Sequence, residues 1–297
     1  MTDPGRSALT GDATVGVGAA VLAAVAFATA ALLVRLAGPA PAALVTFGRL
    51  AVAALVLAAV ARVRGESLAA PPRTVLGLFL VGLVAAAHFG LYTVAVQMGP
   101  LAPVLVYVNL SPLWVMAASR RTLGEPPRLH QWLGGLVTAA GIAVVAAGAG
   151  QAGGRPGMGS LAAVGAGLFY AAYSVAGRGF RRTVPLLTYA FWVYTGAALA
   201  FVPAVVVTGG RGLGSAWPAI VALGLVPTAL GHTSYAAALR RLPAGWVNQV
   251  ATLEVVGGTL LVAAWSHRWP AAVTWPGLAV TMTGVGIAAW DRESGRN

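Results

Sequence analysis

Apolar residues fill this chain in long, nearly unbroken stretches separated by short polar breaks. Ten stretches are long enough, at about 20 residues each, to be read as spanning helices. They lie at about 15–34, 41–60, 74–97, 101–118, 130–149, 158–177, 185–208, 216–237, 245–265 and 274–290. Glycine, proline and arginine punctuate them, as in Gly38-Pro39-Ala40-Pro41, Gly99-Pro100 and Arg240-Arg241-Leu242-Pro243. A transmembrane barrel would show alternation over about ten residues, and no such alternation is present. The pattern predicts an all-α, polytopic membrane protein with ten transmembrane helices. Residues 1–14 are polar and lack a basic leader, so the first stretch is expected to be a retained span rather than a cleaved signal peptide.

Composition agrees. The chain has 297 residues, 58% hydrophobic and 9% charged, against roughly 25% charged in soluble domains. That is too little charge to cover a surface facing water. It contains no cysteine and no lysine. Thiol chemistry, cysteine metal sites, Schiff-base catalysis and the P-loop lysine are therefore excluded. The net charge is +12, but the arginines sit in small groups between the spans, which argues for membrane topology and against nucleic-acid binding. With ten spans, fourteen of the nineteen basic residues fall on the side of the termini, and Arg35, Arg155, Arg211 and Arg268 on the other. The side rich in arginine is expected to be cytoplasmic.

The chain also repeats itself. At a shift of 143 residues Pro100 falls on Pro243, Leu110 on Leu253, Gly134 on Gly277 and Gly141 on Gly284. His88 meets His232 at a shift of 144, and Phe27 meets Phe169 at 142. Five spans per half force the halves into opposite orientations, so the architecture expected is two inverted five-helix repeats. The expected segments are a cytoplasmic tail 1–14, repeats 15–150 and 158–290, and a cytoplasmic tail 291–297.

These features resemble the EamA-type carriers of the drug/metabolite transporter superfamily. The resemblance rests on Leu110-Ser111-Pro112, Leu123-Gly124-Glu125, Gly134-Gly135 and Gly141-Ile142 in the first half, on Leu253-Glu254-Val255, Gly277 and Gly284 in the second, and on Arg49 in the second span. Val255 and Ser266-His267-Arg268 depart from the family pattern. The resemblance implies a secondary transporter for a small metabolite, amino acid-like or drug-like, in the cytoplasmic membrane. It also implies export.

A polar side chain inside lipid needs a reason, because a charge at a span centre costs about 2.5–3.5 kcal/mol on insertion scales. Glu254 is the only acid well inside a predicted span. It is a candidate proton-coupling group, or else a hydrogen-bonding partner for another helix. Arg49 would hold a solute carboxylate, pair with Glu254, or snorkel to one face. His88 with Tyr92, and His232 with Tyr235, each share a helix face. They are candidates for solute binding or a proton relay, or for interhelical hydrogen bonds. Tyr107, Asn109 and Ser111 on the fourth span, and Asn248, Gln249 and Thr252 on the ninth, are candidates to meet at the repeat axis, or else Asn248 and Gln249 lie near the membrane surface. Tyr170, Tyr173, Phe191, Trp192 and Tyr194 are candidates to line a cavity, whereas Trp265, Trp269, Trp275 and Trp290 read as an interfacial belt. Glu125 reads as structural.

No metal, cofactor or nucleic acid is expected. The expected partners are a small-molecule solute and the bilayer, with a monomer or homodimer as the assembly. An enzyme would need a motif such as HExxH or GxSxG, and neither occurs. A lipid scramblase or channel is the alternative reading. It would require a continuous polar groove, whereas the polar residues are sparse and cluster at places related by the repeat.

Overall fold

The computed structural model describes residues 4–99, 101–124, 126–148, 157–267 and 269–290. Glu125, the 149–156 connection and the 291–297 tail lie outside these. The described residues are almost wholly helical, with no strand among them. The first half runs α1 (Pro4–Phe27), α2 (Ala30–Leu36), α3 (Ala42–Val63), α4 (Pro72–Met98), α5 (Leu101–Val108), α6 (Ser111–Thr122) and α7 (Leu129–Gly148). The second runs α8 (Met158–Ala176), α9 (Arg178–Thr183), α10 (Leu186–Leu199), α11 (Val202–Thr208), α12 (Trp217–Leu223), a π-helix over Gly224–His232, α13 (Thr233–Arg241), α14 (Ala244–Ala251), α15 (Glu254–Ser266) and α16 (Thr274–Ala289).

Seven continuous helical stretches are long and apolar enough to cross a membrane. The pair α10 and α11, bent by 41°, makes an eighth. The other two expected spans are shorter: 101–118 is divided between α5 and α6, and 274–290 holds the 16-residue α16. Side-chain competition explains the division. Asn109 Nδ2 donates back to the Leu105 carbonyl at 3.0 Å, and Pro112 in the first turn of α6 has no N–H to continue the ladder. The N-terminal end also differs from the polar tail expected over 1–14. Helix α1 begins at Pro4, which suits a first helical turn, and no further proline follows within it. Asp12 is tied to Arg241 Nε at 2.7 Å.

The repeat is written into the elements. Helix α5 maps onto α14, and the first residue of α6 onto that of α15, at 143 residues. The break after α5 has its counterpart after α14, where Thr252 Oγ1 donates to the Gln249 carbonyl at 2.6 Å. The halves interleave: α4 packs on α8 and α10, α3 on α10, α1 on α13, and α7 on α16. Small residues make this possible. The buried apolar set is dominated by alanine, while Leu55, Val63, Leu129 and Val207 are more than two-thirds exposed. Lipid rewards no hydrophobic burial, so close backbone packing holds the helices instead.

Candidate functional site

The candidate site forms where the two broken helices meet. Asn109, at the end of α5, donates from Nδ2 to Oε1 of Glu254, the first residue of α15, at 3.0 Å. The hydrogen bond therefore joins one break to the other. Around it lies a small cavity. Nine of the residues singled out in the sequence line it: Arg49, His88, Tyr92, Asn109, Ser111, Tyr170, His232, Asn248 and Glu254. Phe27, Phe89 and Pro227 complete the wall. A second space of about 990 Å³ shares Phe27, Tyr92 and Glu254 with the first and runs to Pro270 and Thr274, at the end that carries the α4–α5 and α15–α16 connections.

Arg49 illustrates how a local sequence feature builds the site. Pro227 lacks the N–H that would bond the Leu223 carbonyl four residues back. The chain widens there into a π-helix. The Thr228 hydroxyl donates to that carbonyl at 2.7 Å and accepts from Arg49 Nε at 3.0 Å. The guanidinium lies over the Phe89 ring, with 4.7 Å between Cζ and the centroid. Its Nη1 is buried without a hydrogen-bond partner. Of the roles open to Arg49, pairing with Glu254 is not realised: among the described residues no carboxylate reaches it within salt-bridge distance. Snorkelling is not realised either, since Arg49 is 1% exposed.

The two histidines come together with ring centroids 6.0 Å apart. His88 Nδ1 lies 2.9 Å from the Ala166 carbonyl. A carbonyl can only accept, so Nδ1 donates, and Nε2 of the neutral ring is an acceptor. The ring stacks on Tyr170 at 4.8 Å. His232 packs against Phe27 at 4.5 Å and Phe89 at 4.7 Å, and its Nδ1 is buried without a partner. It sits at the end of the π-helix, whose wider turns accommodate the one-residue slip in the repeat at this pair. Phe27 corresponds in the 143-residue register to Tyr170 rather than Phe169. Both Phe27 and Tyr170 line the cavity, while Phe169 is exposed.

Eight of the residues expected around a site do not line it: Tyr107, Tyr173, Phe191, Trp192, Tyr194, Tyr235, Gln249 and Thr252. Tyr107 is half-buried in an apolar cluster around Val104 and Val108. Trp192 donates from its indole N–H to the Leu68 carbonyl at 2.8 Å and meets Phe79 at a tilt and Phe191 edge-on. Tyr235 lies behind Asn248, accepting from its Nδ2 at 2.5 Å, with Ser174 Oγ at 2.6 Å on the other side. Gln249 faces α7, where it bonds Thr138. Phe89 and Thr228 were not singled out in the sequence. The signal for Phe89 was its place beside His88, and for Thr228 its place beside Pro227.

Four buried polar atoms of cavity-lining residues thus lack a protein partner: Arg49 Nη1, Tyr170 Oη, His232 Nδ1 and Asn248 Oδ1. Buried polar groups are otherwise nearly always paired, so the cavity presents unspent hydrogen-bonding capacity to whatever enters it. Among the described residues no group of histidines and acids could hold a metal ion.

The sequence matches the EamA-like transporter family twice, over residues 14–147 and 157–290. A crystal structure described only as "Crystal structure of protein" superposes with a TM-score of 0.77 at 24% identity, covering 94% of this chain and 97% of that one, which shows a shared fold. No curated protein matches the sequence. The two family matches start 143 residues apart, in the register that aligns the helix breaks. The chain therefore belongs to the EamA-like transporter family and is a membrane transporter of the drug/metabolite transporter superfamily.

Proposed function

We propose that this protein is a secondary carrier that binds a small zwitterionic, amino acid-like solute in the cavity between the helix breaks and exports it by alternating access. The observation that carries this reading is the set of unpartnered polar atoms on residues around one cavity: Arg49 Nη1, Tyr170 Oη, His232 Nδ1 and Asn248 Oδ1. Arg49 supplies a donor for a solute carboxylate. Asn109, Ser111, Asn248 and Glu254 offer acceptors for an amino group. Phe27, Phe89, Tyr92, Tyr170 and the two histidines give an aromatic wall for an apolar or aromatic body.

Glu254 is the coupling group in this reading. It is the one acid facing the cavity, and it meets only the neutral Asn109. A proton on Glu254 would leave as the solute amino group arrives, and return when the solute departs. The two sites would thereby exclude each other, which is the requirement for antiport. Ten crossings follow if α5 with α6, and α16, are counted as spans, with both termini in the cytoplasm and the arginine-rich loops beside them.

Counterflow in proteoliposomes tests this, using pooled labelled amino acids and small metabolites, with the intact protein and Glu254→Gln at about pH 6 and about pH 8. The expected result is saturable exchange by the intact protein, dependent on pH, and exchange without that dependence in the variant. Exchange with the same pH dependence in both would remove Glu254 from coupling. Absence of exchange for every solute, with the protein folded, would overturn the carrier reading for those solutes.

A further inference from the structure

The central cavity shares Phe27, Tyr92 and Glu254 with the space that runs to Pro270 and Thr274, which we read as its open passage. At the opposite end, where the α6–α7 and α13–α14 connections lie, a groove of about 1340 Å³ is lined by Met116, Ser119, Pro127, Arg128, Gln131 and Trp246, among others. It stops short of the central cavity, and the two share no lining residue. The repeat relates this groove to the open passage at the other end. At 143 residues Met116 maps onto Thr259, Ser119 onto Val262 and Pro127 onto Pro270, and all three counterparts line the open passage.

Asn248 of the cavity wall lies on α14, which packs on α6, the helix that carries Met116 of the groove, and the residues around this contact obey the same rule. Tyr235 is fully buried and binds Ser174 and Asn248. Their counterparts are Tyr92, Ala31 and Leu105, and each of these lines the open passage. Met116, 1% exposed, packs so tightly between neighbours that a Cβ on Gly245 would lie 2.9 Å from its Cγ and one on Gly135 3.0 Å from its Cε. Its counterpart Thr259 stands in the open passage. Every member of the closed set therefore has a mate in the open one. The hydrogen bonds exist on the closed side alone, because Ala31 and Leu105 have no side-chain polar atom to replace Ser174 and Asn248. Ser119 Oγ, buried and without a partner, faces the groove. A hydroxyl so placed is costly unless water reaches it in another state.

We propose that Tyr235, Ser174, Asn248 and Met116 form the gate of a second access route, which runs through the groove past Ser119 and opens as the passage past Thr259 and Val262 closes. The inference rests on the carrier reading of the central cavity but assigns residues to a route beyond it. The gate is asymmetric. The closed side carries a hydrogen-bonded latch that the open side cannot form, so the latch sets the resting preference between the two states.

The chain contains no cysteine, which makes the test direct. Ser119→Cys and Val262→Cys are introduced separately and labelled in oriented vesicles with a membrane-impermeant methanethiosulfonate reagent, without any solute. In the otherwise native background Val262→Cys is expected to react rapidly from one face, and Ser119→Cys slowly from the other. Adding Asn248→Leu, or separately Met116→Thr, should raise labelling at Ser119→Cys about tenfold, the population shift expected from losing a buried hydrogen bond or its equivalent in packing. Labelling at Val262→Cys should fall in the same variants. Unchanged Ser119→Cys reactivity in both variants overturns the proposal. So does a rise at both cysteines together, which would report loosening rather than a switch. Labelling needs no solute, so this result and the counterflow result fail independently.

Discussion

Single residues carry both the cost and the chemistry of this fold. His267 ends α15 with φ of +51°, the only non-glycine residue in the left-handed region among those described. Its counterpart in the first repeat is Gly124, at φ of +63°. The glycine in the motif Leu123-Gly124-Glu125 thus meets a backbone need that the second repeat meets with an exposed histidine at some strain. Relief of about 1–2 kcal/mol from the Cβ clash, less about 0.5–1 kcal/mol for the freer unfolded glycine, leaves a net gain of up to about 1.5 kcal/mol for His267→Gly. Thermal unfolding in detergent should show His267→Gly more stable than the parent and His267→Ala no better than it. An equal gain in both would trace the effect to the imidazole and not to the backbone. Arg49 and Glu254 were legible as charges inside apolar runs. Thr228 was not, because a threonine beside a proline is common in membrane helices and the residue it binds lies 179 positions away.

At the scale of elements, the close pair α7 and α16 holds the two repeats together. Gly134, Gly141, Gly277 and Gly284 lie at the crossing, two on each helix, seven residues apart. A Cβ on Gly284 would lie 2.7 Å from the Gly134 carbonyl oxygen and still closer to Thr138. On Gly286, two residues on, a Cβ would meet nothing within 4 Å. Gly284→Leu should therefore destabilise by about 1–3 kcal/mol, while Gly286→Leu should leave the melting temperature near that of the parent. A Gly284→Leu protein that melts with the parent would show that the crossing is not close in the membrane. The glycine spacing made this contact legible as a small-residue helix face. The division of 101–118 into α5 and α6 was less so. Hydropathy does not register an asparagine that bonds back to its own helix, so the run reads as one apolar span.

For the whole molecule, the distribution of arginine among the connections predicts how the helices cross the bilayer. Reporter fusions placed after Gly99, Gly124, Gly210 and Asn297 should score external, cytoplasmic, external and cytoplasmic. Gly99 and Gly124 on one side would mean that α5 and α6 re-enter instead of crossing, and would reverse the parity of everything downstream. Two opposed halves explain why chemistry gathers at the helix breaks. Both breaks approach the repeat axis, and there Asn109 of one half reaches Glu254 of the other.

The sequence by itself determined the solvent, the helical class, the family and the repeat. Each of these is a property of composition or of order along the chain, and lipid punishes departures from it strongly. Tertiary structure decided which polar side chains share a cavity. Small turns of each helix about its axis, set by contacts between residues more than a hundred positions apart, bring Arg49, His88, His232 and Glu254 to one wall and leave Tyr107 and Trp192 outside it. It also decided which end is open. Two repeats nearly equivalent in sequence adopt unequal packings, and Tyr235, Ser174 and Asn248 can latch only one of them.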